Sequence, residues 1–211
     1  MTLALIFSAL LGTFDADLSA LLARLGAPGG VHPLCKERVA FHLDRLAKKP
    51  NLRAAWERRK QRWPVIQRAL AAAGLPEEFG YVAWVESSFN PEARSPLGSL
   101  GVWQFIPGTA RRFGLTVDGA RDDRLDFEKE TRAAAAYLTK LVDEFGRDAP
   151  LVAMASYNMG EQRMREALAG RKSDFWELYE KRRLTEEAAE YVPQILAAAL
   201  IGSNPGRYGL E

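Results

Sequence analysis

The chain has 211 residues, of which 47% are hydrophobic and 27% charged, with a formal net charge of +2. That balance suits a globular protein of one good-sized domain, excludes disorder, and carries no charge excess that would demand nucleic acid. A single cysteine, Cys35, excludes an internal disulfide and a cysteine-rich metal site, and two histidines, His32 and His42, give little support to metal chemistry or Ser/His/Asp catalysis.

In chain order, the run from Leu3 to Phe14 has the length of a signal-peptide core and is followed by small residues such as Ala16, but no Lys or Arg precedes it. Leu3, Phe7, Leu10, Leu11, Phe14, Leu18, Leu21, Leu22 and Leu25 also recur at helical spacing, as in an amphipathic helix. The run is short for a membrane span, which needs roughly 20 apolar residues. Gly26 to Pro33 is a cluster of helix breakers, so residues 1–34 read as an N-terminal segment with its linker and residues 35–211 as one domain. Cys35 lacks the small preceding residues of a lipid-modified cysteine and reads as a buried thiol.

Beyond the linker the pattern is helix after helix. Val39, Phe41, Leu43 and Leu46 mark one, stopped by Pro50 and Asn51. A basic helix follows through Trp56 and Arg58 to Arg62, its charges read as a solvated face. Trp63 and Pro64 then open another, with Val65, Ile66, Leu70 and Ala73 on one side and Gly74 closing it. Pro76 fits the first turn of the next helix, where its missing N–H costs nothing, and Phe79, Val82 and Val85 form its apolar face up to Glu86. Asn90 and Pro91 end it, and residues 91–101 make an irregular connection. Further helices are expected from Pro107 to Gly114, from Glu128 to Phe145, from Pro150 to Asn158 and from Thr185 to Leu200. No run alternates as a strand would, and the fold class expected is all-α.

Glu86 is the residue whose setting suggests chemistry. It closes an apolar helix just before a loop rich in Gly, Pro and Ser. Poor solvation and the negative end of the helix dipole both disfavour its ionised form, which suits a carboxyl that must hold a proton near neutral pH and give it away. Taken alone, such an acid is more often a solvated helix end. Four motifs in order change that balance: Glu86-Ser87-Ser88-Phe89-Asn90-Pro91, Gly101-Val102-Trp103-Gln104-Phe105-Ile106-Pro107, Ser156-Tyr157-Asn158-Met159-Gly160 and Tyr191-Val192-Pro193-Gln194-Ile195-Leu196. Together they resemble the transglycosylase SLT domain of lytic murein transglycosylases, over roughly residues 35–209, and most of all the membrane-bound type D. Asp122-Asp123-Arg124 with Thr131-Arg132-Ala133-Ala134, and Asn204-Pro205-Gly206-Arg207-Tyr208-Gly209, add to that likeness.

The resemblance implies a lysozyme-like helical domain of the goose type. The activity implied is an enzyme cleaving the β-1,4 bond between N-acetylmuramic acid and N-acetylglucosamine in peptidoglycan without water, giving 1,6-anhydro products. Glu86 matches the catalytic acid, which then acts as base. Ser87, Gln104, Tyr157, Asn158 and Tyr191 match substrate-binding or orienting positions, and Glu187 an acid one turn before Tyr191. Trp103 and Phe105 are expected either to stack on sugars or to lie in the core, with at least one in the core. No metal and no cofactor are implied. The partner implied is the glycan strand, with no nucleic acid, membrane association through the N-terminal segment, a monomeric state, and a periplasmic or cell-envelope location that favours the export reading of Leu3 to Phe14. Val102, Ile106, Ser156, Met159 and Ala188 are mild departures from the family pattern. Two alternatives stay open: a lysozyme-like hydrolase in which Asp122 or Asp123 activates water, and a catalytically silent glycan-binding module.

Overall fold

The computed structural model describes residues 3–27 and 30–211, with side chains from residue 13 onward. The side chains of Leu3, Phe7, Leu10 and Leu11, and residues 28 and 29 of the breaker cluster, lie outside the described residues. Ten α-helices and three short 3-10 turns make up the described chain, which contains no strand beyond three isolated bridges.

The helices are α1 (Leu3–Arg24), α2 (Pro33–Ala47), α3 (Leu52–Ala72), α4 (Val82–Ser87), α5 (Pro107–Arg112), α6 (Phe127–Phe145), α7 (Pro150–Met159), α8 (Glu161–Leu168), α9 (Phe175–Glu180) and α10 (Glu186–Ser203). The all-α expectation holds. α10 is the axis of the fold: Val192 and the unbroken run from Ile195 to Ile201 are buried, as in a helix enclosed on all sides. α1, α2, α4 and α7 pack around it, and α6 lies against α7 and α3.

Three features differ from the helical pattern expected. α3 runs through Pro64 as one helix instead of two. An internal Pro removes one helical hydrogen bond, but buried Trp63, Ile66 and Leu70 hold both sides of it against the core. The segment before Glu86 is a 3-10 turn, Glu77–Tyr81, feeding a short α-helix. α8 and α9, in a stretch too polar and interrupted to show a clear period, were not anticipated.

Leu18, Leu21, Leu22 and Leu25 are buried in the same core cluster as the rest of the chain. Arg24 bonds the buried Glu78 at 2.5 Å, and Lys36 bonds Asp15 at 2.6 Å. Cys35 is fully buried, and burial pushes its thiol up to about 12. In the first turns of α10, Glu190 accepts from Arg38 at 2.5 Å, His42 at 2.6 Å and Tyr179 at 3.3 Å, tying α2 and α9 to it.

Candidate active site

Glu86 is the penultimate residue of α4, and the chain turns sharply just beyond it. Ser88 and Phe89 both adopt the left-handed region (φ 53° and 58°), which a non-glycine residue avoids unless something compensates. Here two interactions do. Backbone bonds from Ser88 to Trp84 (2.8 Å) and from Phe89 to Ala83 (3.2 Å) satisfy the last carbonyls of the helix. The Phe89 ring is fully buried, edge-on to Trp63 and Trp84. Arg58 adds a bond to the Ser88 carbonyl at 2.8 Å. The turn leaves Glu86 half-buried, facing α10 and α7.

Tyr191 of α10 donates its hydroxyl to Oε1 of Glu86. Burial pushes Glu86 from 4.5 up to about 7; the Tyr191 bond pulls it down, and the charge of Glu187 pushes it up further. Glu187 lies one helical turn before Tyr191 and accepts from Asn158 at 2.9 Å. Tyr157 is raised well above its usual value, first by burial and then by the charges of Glu86 and Glu130, so it sits within electrostatic reach of both.

The segment from Gly101 to Gln104 forms the remaining wall. Ser87 donates to the Val102 carbonyl at 2.7 Å and accepts from the Asn90 N–H at 3.1 Å. Tyr157 donates to the Trp103 carbonyl at 2.9 Å. Gln104, itself left-handed (φ 51°), turns its amide back on the loop: it donates to Ala93 (3.1 Å) and Gly101 (2.8 Å) and accepts from Ser99 (2.7 Å). Of the residues expected at the site, Glu86 and Tyr191 are in direct contact and Tyr157 lies within electrostatic reach. Asn158 joins them through Glu187 and Ser87 through Val102, while Gln104 braces the loop. Trp103 and Phe105 are both core: Trp103 has no exposed surface and donates its indole N–H to Thr131 at 3.1 Å.

Asp122 and Asp123 are held by cations. Asp122 takes both Nε and Nη2 of Arg124 (2.9 and 2.7 Å), whose Nη1 reaches the Gly98 and Phe105 carbonyls (2.8 and 2.9 Å). Asp123 accepts from Lys129 (2.8 Å), Arg121 (2.7 Å) and the Thr116 N–H (3.0 Å), bonds that hold its carboxyl far below the usual range. Both therefore shape the loop.

One buried acid of the wall belongs to none of the four motifs. Glu130, in the first turn of α6, is 1% exposed, and its two carboxyl oxygens accept from the N–H groups of Val102 (3.0 Å) and Trp103 (2.8 Å). An acid in a first turn normally reads as solvated. The available signal was its register: Ala134, Tyr137, Leu138 and Leu141, at positions i+4, i+7, i+8 and i+11, are all buried.

Helices gathered round a central helix, with one half-buried carboxyl held by a tyrosine beside a braced loop, define an all-α domain built around a single candidate acid. The model of the transglycosylase SLT domain family matches residues 64–177. Membrane-bound lytic murein transglycosylase D of Escherichia coli (strain K12) is 37% identical over 142 residues, which are 65% of this chain and 30% of that protein. Peptidoglycan transglycosylase gp16 of Escherichia phage T7 is 39% identical over 139 residues, 64% of this chain and 10% of that protein. Among solved structures, the 70 kDa soluble lytic transglycosylase of Escherichia coli shares the fold with a TM-score of 0.56 at 24% identity, over 66% of this chain and 24% of that one. The chain belongs to the transglycosylase SLT domain family. It spans less than a third of the length of the curated relatives named here.

Proposed function

We propose that this domain is a peptidoglycan lytic transglycosylase that cuts the bond between N-acetylmuramic acid and N-acetylglucosamine with Glu86 as its one catalytic carboxyl. The observation that carries this reading is the contact between Tyr191 and a half-buried Glu86 raised to about 7. At neutral pH a large fraction of Glu86 holds a proton, and with Oε1 accepting from Tyr191, Oε2 is left to deliver it.

Glu86 protonates the glycosidic oxygen as the bond from the muramic anomeric carbon breaks, and N-acetylglucosamine leaves as the alcohol. The carboxylate formed then removes the proton from the muramic C6 hydroxyl as that oxygen bonds to the anomeric carbon. Glu86 ends protonated, no water is consumed, and the product carries a 1,6-anhydro ring. A hydrolase needs a second carboxylate to activate water or form a covalent intermediate. Asp122 and Asp123 are engaged by Arg and Lys, and exposed Glu187 is bonded to Asn158, which supports the single-acid reading over hydrolysis. Ser87, Gln104, Tyr157, Asn158 and Tyr191 form the proposed substrate-facing and orienting set. The transglycosylase unit is taken as residues 35–211 with Leu18 to Leu25 packed into its core, acting as a monomer in the cell envelope, and the run from Leu3 to Phe14 as its route to export or membrane association. No described helix is long and apolar enough to cross a membrane.

The test is Glu86→Gln, which keeps the shape and removes the titrating proton. Release of soluble fragments from sacculi is expected to fall by at least about a thousandfold, the scale of a general acid combined with its role as base, while sacculus binding persists. Retained turnover would remove Glu86 from the mechanism, and binding without turnover in the unmodified chain would favour the silent module.

A further inference from the structure

We propose that Glu130 is a positioning residue for this reaction: by gripping the backbone of Val102 and Trp103 it fixes the carbonyls on which the hydroxyls of Ser87 and Tyr157 rest beside Glu86. The proposal rests on the transglycosylase reading of Glu86. Its basis is the way two successive residues of the backbone are held from both sides. Their N–H groups point to the two carboxyl oxygens of Glu130 on α6, at 3.0 and 2.8 Å. Their carbonyls accept from Ser87 on α4 and Tyr157 on α7, at 2.7 and 2.9 Å. One strip of backbone thus joins the helix that carries the acid to the helix that carries Tyr157, and Glu130 supports it from beneath.

The approach leaves no slack. A Cβ placed on Gly101, which has φ +86°, would lie 2.4 Å from Oε1 of Glu130 and 2.4 Å from the Arg124 carbonyl. Burying a carboxyl this deeply is costly unless its hydrogen bonds are made. Burial pushes Glu130 up to about 8 against the pull of the two backbone N–H groups and Arg124. The charges of Glu130 and Glu86 both act on Tyr157, which places that ring within electrostatic reach of both carboxyls.

The experiment compares the unmodified chain with Glu130→Gln and, in parallel, Glu86→Gln, measuring melting temperature, sacculus binding, and kcat against pH at saturating substrate. Gln keeps one acceptor but turns an N–H₂ towards a backbone N–H. The expected result is a kcat lowered about ten- to a hundredfold, the scale of a small misplacement of catalytic groups, with the half-saturating substrate concentration nearly unchanged and the alkaline limb of the profile displaced. If Glu130→Gln does not fold, Glu130→Asp, whose shorter side chain cannot reach both N–H groups, carries the same readouts. A variant that melts lower but keeps the kcat of its folded fraction and an unmoved pH limb overturns the proposal and leaves Glu130 a purely structural group. An unmodified chain that releases no fragments overturns the transglycosylase reading and this proposal with it.

Discussion

Three influences meet on the Glu86 carboxyl, and each is removable on its own. Burial raises it, the Tyr191 hydroxyl lowers it by bonding the ionised form, and the Glu187 charge raises it again. In the proposed mechanism the protonated form starts the reaction, so activity is expected to decline as pH rises through about 7, the value of this carboxyl. Tyr191→Phe removes the bond that favours the carboxylate, so the declining limb should move to higher pH, with kcat reduced by loss of orientation. Glu187→Gln removes a repelling charge, so the limb should move to lower pH. A pH–rate profile for each variant checks both signs, and shifts in the same direction would contradict this assignment of influences. Gly101 offers a test of the wall behind the acid. Gly101→Ala is expected to cost about 2 kcal/mol or more in denaturant unfolding, since it adds a close contact to a left-handed backbone.

At the scale of elements, what could be read from the chain was what periodicity and breakers encode. The long α6 and α10 follow from their apolar stripes, and the end of α4 from Asn90 and Pro91. What could not be read depended on contacts distant in sequence. Pro64 looked like a helix start because a lone Pro usually is one; it lies mid-helix because Trp63 and Ile66 are pinned on both sides. Trp103 and Phe105, in a loop next to the acid, left stacking and core both open, with at least one expected in the core; both are core, and Phe105 packs on Tyr137 of α6 and Tyr157 of α7. Glu86 and Tyr191 were recognisable from motif order, whereas Glu130 was not, because its partners are backbone N–H groups 27 and 28 residues away. The N-terminal segment gives the prediction at this scale. Leu21 has no exposed surface and belongs to the common core. Leu21→Ala is therefore expected to destabilise the whole domain by about 2–5 kcal/mol, measured by denaturant unfolding. A loss under about 0.5 kcal/mol, the size of a surface substitution, would mean that α1 contributes little to the domain.

For the whole molecule, the titrating carboxyls fall into two opposed groups. Glu86 and Glu130 sit at about 7 and about 8 when folded, above their ordinary 4.5. Between those limits the folded state holds more protons than the unfolded one, so stability falls as pH rises. Glu161, bonded by Arg112 and Lys140, is lowered to about 2, and Asp122, Asp123 and Glu190 are lowered as well. Their contribution is present above the ordinary carboxylate range and is lost as pH drops below it. Thermal stability is thus expected to peak near about pH 5 and to decline towards pH 8, by at most about 1.4 kcal/mol per pH unit for each raised group. A melting temperature that rises steadily from pH 5 to pH 8 would show that Glu86 and Glu130 are not held protonated in the fold. Proton-holding is thus expected of the folded domain as well as of its site, and the proposed water-free mechanism draws on it. The most direct measurement is mass spectrometry of the soluble fragments released from peptidoglycan sacculi. Muramic ends lighter by one water, in the 1,6-anhydro form and absent with Glu86→Gln, are the expected products. Reducing muramic ends that incorporate oxygen from labelled water would contradict the single-acid mechanism.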